Sequence, residues 1–294
     1  MVTRTYKRDF GLTVRMFLTM LLLAVVYIGF LAILSRFMMF TWVLMFAALM
    51  LFAQLYYSDK LVLWSMGARI VGREEAPELH AIVEKLCTLA DLPKPKIAIV
   101  DTNVPNAFAT GRNKKNAVVA VTTGLLRTLS RNELEAVLAH ELSHIKNKDM
   151  LVLTIASFIS MVAFFVMRYA IFFGIGGGRR DNAYILLVWV ASIITWIVSF
   201  ILIRALSRYR EFAADRGSAF ITGRPRDLIS ALYKISGKMQ RIPTEDLRKV
   251  EGLNAFFIIP AVSGDLITKL FSTHPPLEER VKALETLEKM MERI

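Results

Sequence analysis

The segment VLAHELSHIK, residues 137–146, contains two histidines and a glutamate in a pattern that can bind and use a metal ion. In a helix, residues four apart lie on one face, so His140 and His144 can present their imidazole rings to the same ion. Glu141 lies beside that face, where its carboxylate can take a proton from water without binding the ion. The spacing therefore predicts two metal ligands and a catalytic general base.

A second segment, REFAAD at residues 210–215, can supply the ligand that this pair lacks. Catalytic zinc usually has three protein ligands and one open position. Glu211 and Asp215 are four residues apart, so they also share a helical face. We expect Glu211 to bind the metal ion, and Asp215 to accept a hydrogen bond from the far nitrogen of a ligating histidine. Two imidazoles and one carboxylate suit Zn²⁺, and we expect one ion per chain.

His274, in the segment THPP, has two interpretations. It can be a structural residue of a turn, or it can line the cleft and donate a hydrogen bond to a developing oxyanion. The sequence leaves both interpretations open.

The composition indicates a membrane protein. Of the 294 residues, 55% are hydrophobic, which is more apolar surface than a soluble core requires. A helix needs about 20 apolar residues to cross a bilayer. Four stretches are long enough, and they group into two hairpins: about 16–34 with 37–57, and about 151–173 with 183–203.

The net charge of +12 favours an anionic lipid surface over nucleic acid. Lys and Arg are spread along the chain, and no nucleic-acid-binding motif occurs. They are abundant in the N-terminal tail, in 58–150 and after the last span. By the positive-inside rule, this bias predicts a multi-pass protein of the inner (plasma) membrane with both termini and the catalytic part in the cytoplasm.

The predicted architecture is α-rich, with four transmembrane helices and a cytoplasmic catalytic domain in two pieces. Residues 58–150 contain an amphipathic helix, β-rich runs and the helix with the two histidines. We expect a small antiparallel sheet of about three strands there, and His80 on the exposed side of the amphipathic helix. Residues 204–294 are mostly helical. The tail with the first hairpin (1–57) and the second hairpin (151–203) complete the chain.

The motif HELSH, followed beyond a hairpin by EFAAD and preceded by NAFATG and GLL, resembles the HtpX-type membrane metalloproteases over nearly the whole chain. The resemblance implies an α+β zincin-like (gluzincin) domain that faces the cytoplasm. It implies one zinc ion held by His140, His144 and Glu211, with Glu141 as the base. It also implies an edge strand of the substrate cleft, formed by Asn106, Ala107, Phe108 and Ala109.

The same resemblance implies a function in protein quality control. The expected activity is endopeptidase cleavage of misfolded or damaged membrane proteins, often under stress, with protein substrates and the lipid bilayer as partners. An extended substrate would add as a strand beside the edge strand, which gives affinity without requiring one sequence.

Three alternatives remain. A CAAX-type prenyl protease shares the zinc motifs, although that group is longer and has more spans. A membrane scaffold with a structural metal site is disfavoured by the open coordination position. A transporter is disfavoured because the spans contain few polar residues.

Overall fold

The computed structural model describes residues 9–35, 40–174, 179–240 and 274–292. The chain forms two compact units, which we call the span unit and the sheet unit. The span unit comprises the described residues of Phe10–Tyr56 and Leu151–Leu206, and the sheet unit comprises those of Met1–Asp9, Tyr57–Met150 and Ser207–Ile294. All residues of the predicted metal group belong to the sheet unit.

The described residues form nine α-helices and four strands. In chain order these are α1 (Phe10–Leu34), α2 (Phe40–Ser65), β1 (Arg69–Ile70), α3 (Pro77–Ala90), β2 (Lys96–Val100), β3 (Ala107–Thr110), β4 (Val118–Thr122), α4 (Thr123–Thr128), α5 (Arg131–Asn147), α6 (Asp149–Gly174), α7 (Arg179–Thr222), α8 (Pro225–Met239) and α9 (Leu277–Met291).

Long apolar helices make up the span unit. Within the described residues, three segments are long and apolar enough to cross a membrane: Phe10–Leu34, Asp149–Arg168 and Ala183–Thr222. The second predicted span, 37–57, lies partly outside the described residues, and its described part belongs to α2. Inside the unit, the Tyr27 hydroxyl donates a hydrogen bond to the carbonyl of Ala156, which ties α1 to α6.

The sheet has four strands in the order β1-β2-β4-β3. Strand β2 pairs with β4 in parallel, whereas β1–β2 and β3–β4 are antiparallel. The prediction of an antiparallel sheet with about three strands was therefore wrong. A parallel pair needs a long crossover connection, and the segment between β2 and β4, which contains β3, provides it. Strand β1 has only two residues, so it is too short to show the alternation of apolar and polar residues from which a strand is predicted.

The two faces of the sheet pack against different helices. On one face, Ile97, Val119 and Val121 join the main core, to which α3, α5, α8 and α9 contribute. On the other face, Ala98 and Ala120 pack against the end of α2. This alternation follows from the two-residue period of side chains along a strand. The helix with the two histidines therefore packs against the sheet in the main core.

Helix α5 has a well-defined beginning and end. Ser130 precedes it, and the backbone N–H of Ser130 donates to the Glu133 carboxylate at 2.7 Å, as the Ser-x-x-Glu capping pattern indicates. Lys148 follows the helix in the left-handed conformation, with φ of 57°. The next residue, Asp149, begins α6. A single residue therefore separates the two helices.

The prediction that His80 lies on the exposed side of α3 was wrong. His80 is buried; its Nε2 lies 3.1 Å from the carbonyl oxygen of Val71, and its Nδ1 lies 2.9 Å from Nζ of Lys94. The segment that carries Val71 packs back against α3 and covers this side of the helix, which the helical period alone does not reveal. His80 has a structural role in this position.

Candidate metal centre

Small residues allow α7 to approach α5 closely. A Cβ atom added to Gly217 would lie 2.3 Å from Oγ of Ser143. One residue further, the Ser218 hydroxyl donates to the carbonyl of Ala136 at 2.6 Å, and Ala214 is fully buried. This close packing brings the face of α7 that carries the glutamate and the aspartate against the two histidines of α5. Sequence reasoning missed Gly217, which the structure shows to be a point of close approach.

The structure brings His140, His144 and Glu211 together. Nε2 of His140 lies 3.1 Å from Nε2 of His144. The Glu211 carboxylate lies 3.6 Å from Nε2 of His140 and 3.3 Å from Nε2 of His144. A tetrahedral zinc ion with bonds of about 2.0–2.1 Å holds two ligand atoms about 3.3 Å apart. The spacing of the three groups therefore matches the edges of such a tetrahedron.

Both histidines present their Nε2 atoms because carboxylates face their Nδ1 atoms. Nδ1 of His140 lies 2.9 Å from Oδ1 of Asp215, and Nδ1 of His144 lies 2.6 Å from Oδ2 of Asp149. A proton on each Nδ1 leaves a lone pair on each Nε2. These two lone pairs and the Glu211 carboxylate then face the same space. Groups that all carry negative or partial negative charge repel one another there unless a cation lies between them.

The pKa shifts of His140, His144 and Glu211 also indicate that the site favours positive charge. Burial opposes the charged form of both His140 and His144, but the neighbouring carboxylates outweigh it and raise both pKa values, that of His144 well above its ordinary value. Burial also opposes the charge of Glu211, yet the histidines around it, His274 first, hold its pKa well below the ordinary value. The three residues therefore form a group that could hold a cation.

Glu141 lies between the metal group and the edge of the sheet. Burial raises the pKa of its carboxyl, while the neighbouring histidines and the backbone N–H of Ala109, which donates to it, act in the opposite direction. The carbonyl of Asn106 accepts the backbone N–H of Thr122 at 2.9 Å. In an antiparallel ladder the alternate residues Ala107 and Ala109 therefore direct their backbone groups away from β4.

The residues expected to form the edge strand occupy the outer position of the sheet. Ala107, Phe108 and Ala109 lie in β3, which ends the strand order, and Asn106 directly precedes it. All four are buried. The Phe108 side chain packs on the face of the sheet beneath α2, with Ala98 and Ala120. Its side chain therefore belongs to the core, and what this strand can offer a substrate is its backbone.

His274 is brought to the metal group, immediately before α9. Its Nδ1 lies 3.1 Å from Oε2 of Glu211, and the residue is buried. It is therefore both a residue of the turn that leads into α9 and a neighbour of the third predicted ligand. The structure places it against Glu211, beside the ligand cluster.

Three charged residues of the site were missed by sequence reasoning. Arg280 of α9 is buried and donates to both oxygens of Asp215, at 2.8 Å from Nε and 2.6 Å from Nη2. This guanidinium outweighs the effect of burial and lowers the pKa of Asp215. Asp149 and Arg210 form the corresponding pair beside His144. In the sequence, EERVK around Arg280 is typical of a solvated helix face, and only the tertiary structure reveals its burial.

Residues 73–288 match the model of peptidase family M48. The chain therefore belongs to peptidase family M48, and with His140, His144 and Glu211 assembled as a group that could bind a metal ion, it is a metallopeptidase.

Relatives along nearly the whole length specify the type of enzyme. Protease HtpX homolog 2 of Methanosarcina mazei is 61% identical over 98% of this chain and 99% of its own length. Protease HtpX homolog of Moorella thermoacetica is 60% identical over 97% of both chains. The resemblance to the HtpX-type enzymes is thus confirmed, and the chain is a membrane metalloprotease.

A solved structure supports the fold. The crystal structure of Ste24p from S. mikatae superimposes with a TM-score of 0.54 at 17% identity, and the match covers 94% of this chain and 66% of that chain. At this identity the likeness concerns the fold alone.

Proposed function

We propose that this chain is a zinc-dependent endopeptidase in which His140, His144 and Glu211 hold the ion and Glu141 is the general base. The observation that carries the proposal is the spacing of the three ligand groups at 3.1–3.6 Å, with a carboxylate against each Nδ1. Two imidazoles and one carboxylate are a donor set of catalytic zinc. When bound there, zinc supplies a Lewis acid that polarises a peptide carbonyl and acidifies water.

The side chains around the ligands supply the remaining chemistry. Glu141 accepts a proton from the attacking water and returns it to the leaving amine. Its position beside the backbone of Ala109 puts the base next to the strand where the substrate would lie. Asp215 orients His140, and Arg280 holds Asp215 in place.

His274 is proposed to donate a hydrogen bond to the oxyanion that develops on the carbonyl. Its support is its burial and its position against Glu211. A His274→Gln variant should retain zinc and substrate binding but lose catalytic rate, about 10²–10³-fold if the donor is a typical oxyanion contact. Loss of zinc instead would assign His274 to holding Glu211.

We further propose that substrates bind as an extended strand beside Ala107–Ala109. In antiparallel pairing Ala107 and Ala109 direct their backbone groups away from β4, and pairing through the backbone selects conformation more than sequence. Burial of β3 implies that its edge must be uncovered for a substrate to pair with it.

The proposed substrates are misfolded or damaged membrane proteins. This proposal rests on the similarity to the HtpX homologues, on the three candidate spans and on a single residue separating the metal-binding helix from α6. The four long apolar stretches of the sequence support four spans, and the distribution of Lys and Arg supports a cytoplasmic catalytic part in the inner membrane.

Glu141→Gln tests the catalytic assignment. The substitution keeps the size of the side chain and removes its ability to take a proton. We expect the variant, purified as the full chain in detergent, to bind one zinc ion like the wild type and to lose cleavage of an unfolded casein-like protein. Undiminished cleavage would refute the assignment of the base. A wild-type chain that binds zinc without cleaving any protein would instead indicate a structural metal site.

Glu135→Gln is the matched control. Glu135 is a buried carboxylate on the same helix, and its partners are Lys85, Arg131 and Arg224. Its removal should reduce stability without abolishing cleavage of the casein-like protein.

A protease restricted to prenylated CAAX peptides is the second candidate, because the shared fold with Ste24p is compatible with a substrate range different from that of the HtpX homologues. Parallel assays with a casein-like protein and a prenylated peptide distinguish the two. Cleavage of the prenylated peptide alone would favour the second candidate.

A further inference from the structure

We propose that Asp149 and Arg210 form a positioning pair that fixes His144 for metal binding. The inference rests on the proposed function, because it assigns these residues to the same metal site. Neither residue is a predicted ligand, general base or hydrogen-bond acceptor of the motifs HELSH and EFAAD. Their contacts link the end of α5 and the first residue of α6 to α7.

The contacts of the pair are short and specific. Oδ2 of Asp149 lies 2.6 Å from Nδ1 of His144. The other oxygen, Oδ1, accepts a hydrogen bond from Nε of Arg210 at 2.6 Å. Each carboxylate oxygen thus has a different partner. A proton on Nδ1 of His144, held by Asp149, leaves the Nε2 lone pair for the metal ion.

Arg210 adds a second connection that holds the end of α5. Its Nη2 donates to the carbonyl of Asn147 at 2.9 Å. The last carbonyls of a helix have no partner inside the helix, so a cation there satisfies one of them and interacts favourably with the helix dipole. Because Arg210 is adjacent to Glu211, the helix that supplies the third ligand also fixes the turn of α5 that carries His144.

The same arrangement is repeated at the other histidine. His140 faces Asp215, and Arg280 binds Asp215. In both cases a buried carboxylate lies against Nδ1, and a buried arginine holds the carboxylate. The two arginines come from α7 and α9, so the repetition is not a by-product of one helix packing against another. It indicates that the Asp149 and Arg210 pair has the same task as its counterpart.

The buried charges also favour a role toward the metal. An ion pair in the interior is expensive to desolvate, and an apolar pair of similar volume often stabilises a fold as well or better. Asp149 is 3% exposed and Arg210 is 8% exposed. Their contacts with His144 and with the end of α5 give a reason for keeping the charges.

Zinc affinity of the purified full chain in detergent tests the proposal. Affinity is measured by competition with a chelator of known strength, and the Co²⁺-loaded protein gives a visible absorption spectrum that reports ligand geometry. Asp149→Ala removes the acceptor for Nδ1, so we expect zinc to bind about 10–100-fold more weakly, with a changed cobalt spectrum. Asp149→Asn keeps an acceptor oxygen but loses the charge and should show a smaller loss. Asp149→Glu, which restores a carboxylate, should recover part of the affinity.

Glu135→Gln again provides the control, because it removes a buried carboxylate of α5 that pairs with cations but faces no imidazole. It should lower the unfolding temperature and leave zinc affinity and the cobalt spectrum unchanged. Arg210→Lys keeps a charge but loses the guanidinium group, which binds Asp149 and the carbonyl of Asn147 at the same time. Zinc binding should therefore weaken about tenfold. This variant decides the question if Asp149→Ala does not fold.

The outcomes separate this inference from the proposed function. A wild-type chain that binds no zinc would refute the proposed function. A wild-type chain that binds zinc, with folded Asp149 and Arg210 variants of equal affinity and identical cobalt spectra, would refute only the positioning role. Weaker zinc binding in Glu135→Gln, equal to that of Asp149→Asn, would also refute it, because the effect would then be a general loss of stability.

Discussion

The contact of Gly217 with Ser143 gives the sharpest test of how the metal site is assembled. A Cβ atom at position 217 would lie 2.3 Å from Oγ and 2.7 Å from Cβ of Ser143. The hydroxyl can rotate away, but the Cβ is fixed by the backbone. Since carbon atoms pack at about 3.5–4.0 Å, α5 and α7 must separate locally by about 1 Å in Gly217→Ala.

The cost of this separation can be estimated. Overpacking of a tight contact typically costs about 1–3 kcal/mol. Replacing glycine by alanine inside a helix returns about 1 kcal/mol. The net loss of unfolding free energy is therefore about 0–2 kcal/mol. The larger effect concerns the proposed metal group, because Ser143 lies between His140 and His144 in the chain and Gly217 lies six residues after Glu211.

The ligand atoms lie 3.1–3.6 Å apart, so a shift of about 1 Å would move the carboxylate of Glu211 out of the tetrahedral arrangement. A misplacement of this size can reduce a catalytic rate about 10²-fold. We therefore expect Gly217→Ala to lose most of its proteolytic activity and much of its zinc affinity, with only a small change in stability. Chelator competition, casein cleavage and thermal unfolding of the full chain in detergent measure the three quantities.

Two further variants make this prediction specific. Gly237→Ala is the matched control, because Gly237 is also helical and an added Cβ would meet nothing within 4 Å; it should be neutral or slightly stabilising and keep full activity. Ser143→Gly combined with Gly217→Ala removes the blocking Cβ and should restore zinc binding. Normal zinc affinity and activity in Gly217→Ala alone would refute the view that close helix packing sets the ligand spacing.

Three further predictions concern charge and metal. Burial opposes the charge of Glu133, but Lys234, Ser230 and Ser130 outweigh it and lower the pKa to about 2 from an ordinary 4.5. The ionised carboxylate should therefore add about 2–3 kcal/mol to the free energy of unfolding above pH 4.5, and this contribution should disappear as the pH falls towards 2. In acid unfolding, Glu133→Gln should lack this pH-dependent contribution. Arg280→Lys keeps a charge but loses the paired contacts with Asp215, so zinc should bind about tenfold more weakly by chelator competition. Zinc at 100 times its dissociation constant should stabilise the chain by about 2.7 kcal/mol, and in thermal unfolding Glu211→Ala should show no such gain.

Sequence reasoning succeeded where local spacing determines geometry. The helical period placed His140 and His144 on one face, and Glu211 and Asp215 on another, because residues four apart on a helix are neighbours in any tertiary context. The Ser-x-x-Glu pattern at the start of α5 also indicates the beginning of the helix from local spacing alone. The prediction of long apolar helices followed from the length of the apolar segments, and three candidate spans lie in the described residues.

Sequence reasoning failed where contacts between distant segments of the chain determine the structure. The parallel pairing of β2 with β4 depends on a crossover that no local pattern encodes. His80 was placed on the surface because the segment of Val71, which covers it, was not part of the helical pattern. In the sequence Arg280 resembled a solvated residue, but the packing of α9 buries its side chain against Asp215. Burial of a charge is a property of the whole fold.

The buried charges of the site explain why these distant partners are required. Four carboxylates surround the two histidines, and two guanidinium groups face them. The carboxylates are Glu141, Asp149, Glu211 and Asp215; Arg210 binds Asp149, and Arg280 binds Asp215 and lies 3.6 Å from Glu211. When all six groups are ionised, the four negative and two positive charges leave a net charge of −2. Uncompensated charge in the interior is costly. In the proposed function, one divalent cation held by neutral imidazoles compensates this net charge. Without it, protons must do so, and the neighbouring carboxylates accordingly outweigh burial and raise the pKa values of His140 and His144. The motif on α5 provides the imidazoles and one of the carboxylates, whereas the first residue of α6 together with α7 and α9 provides the other charges, whose sum matches a divalent ion.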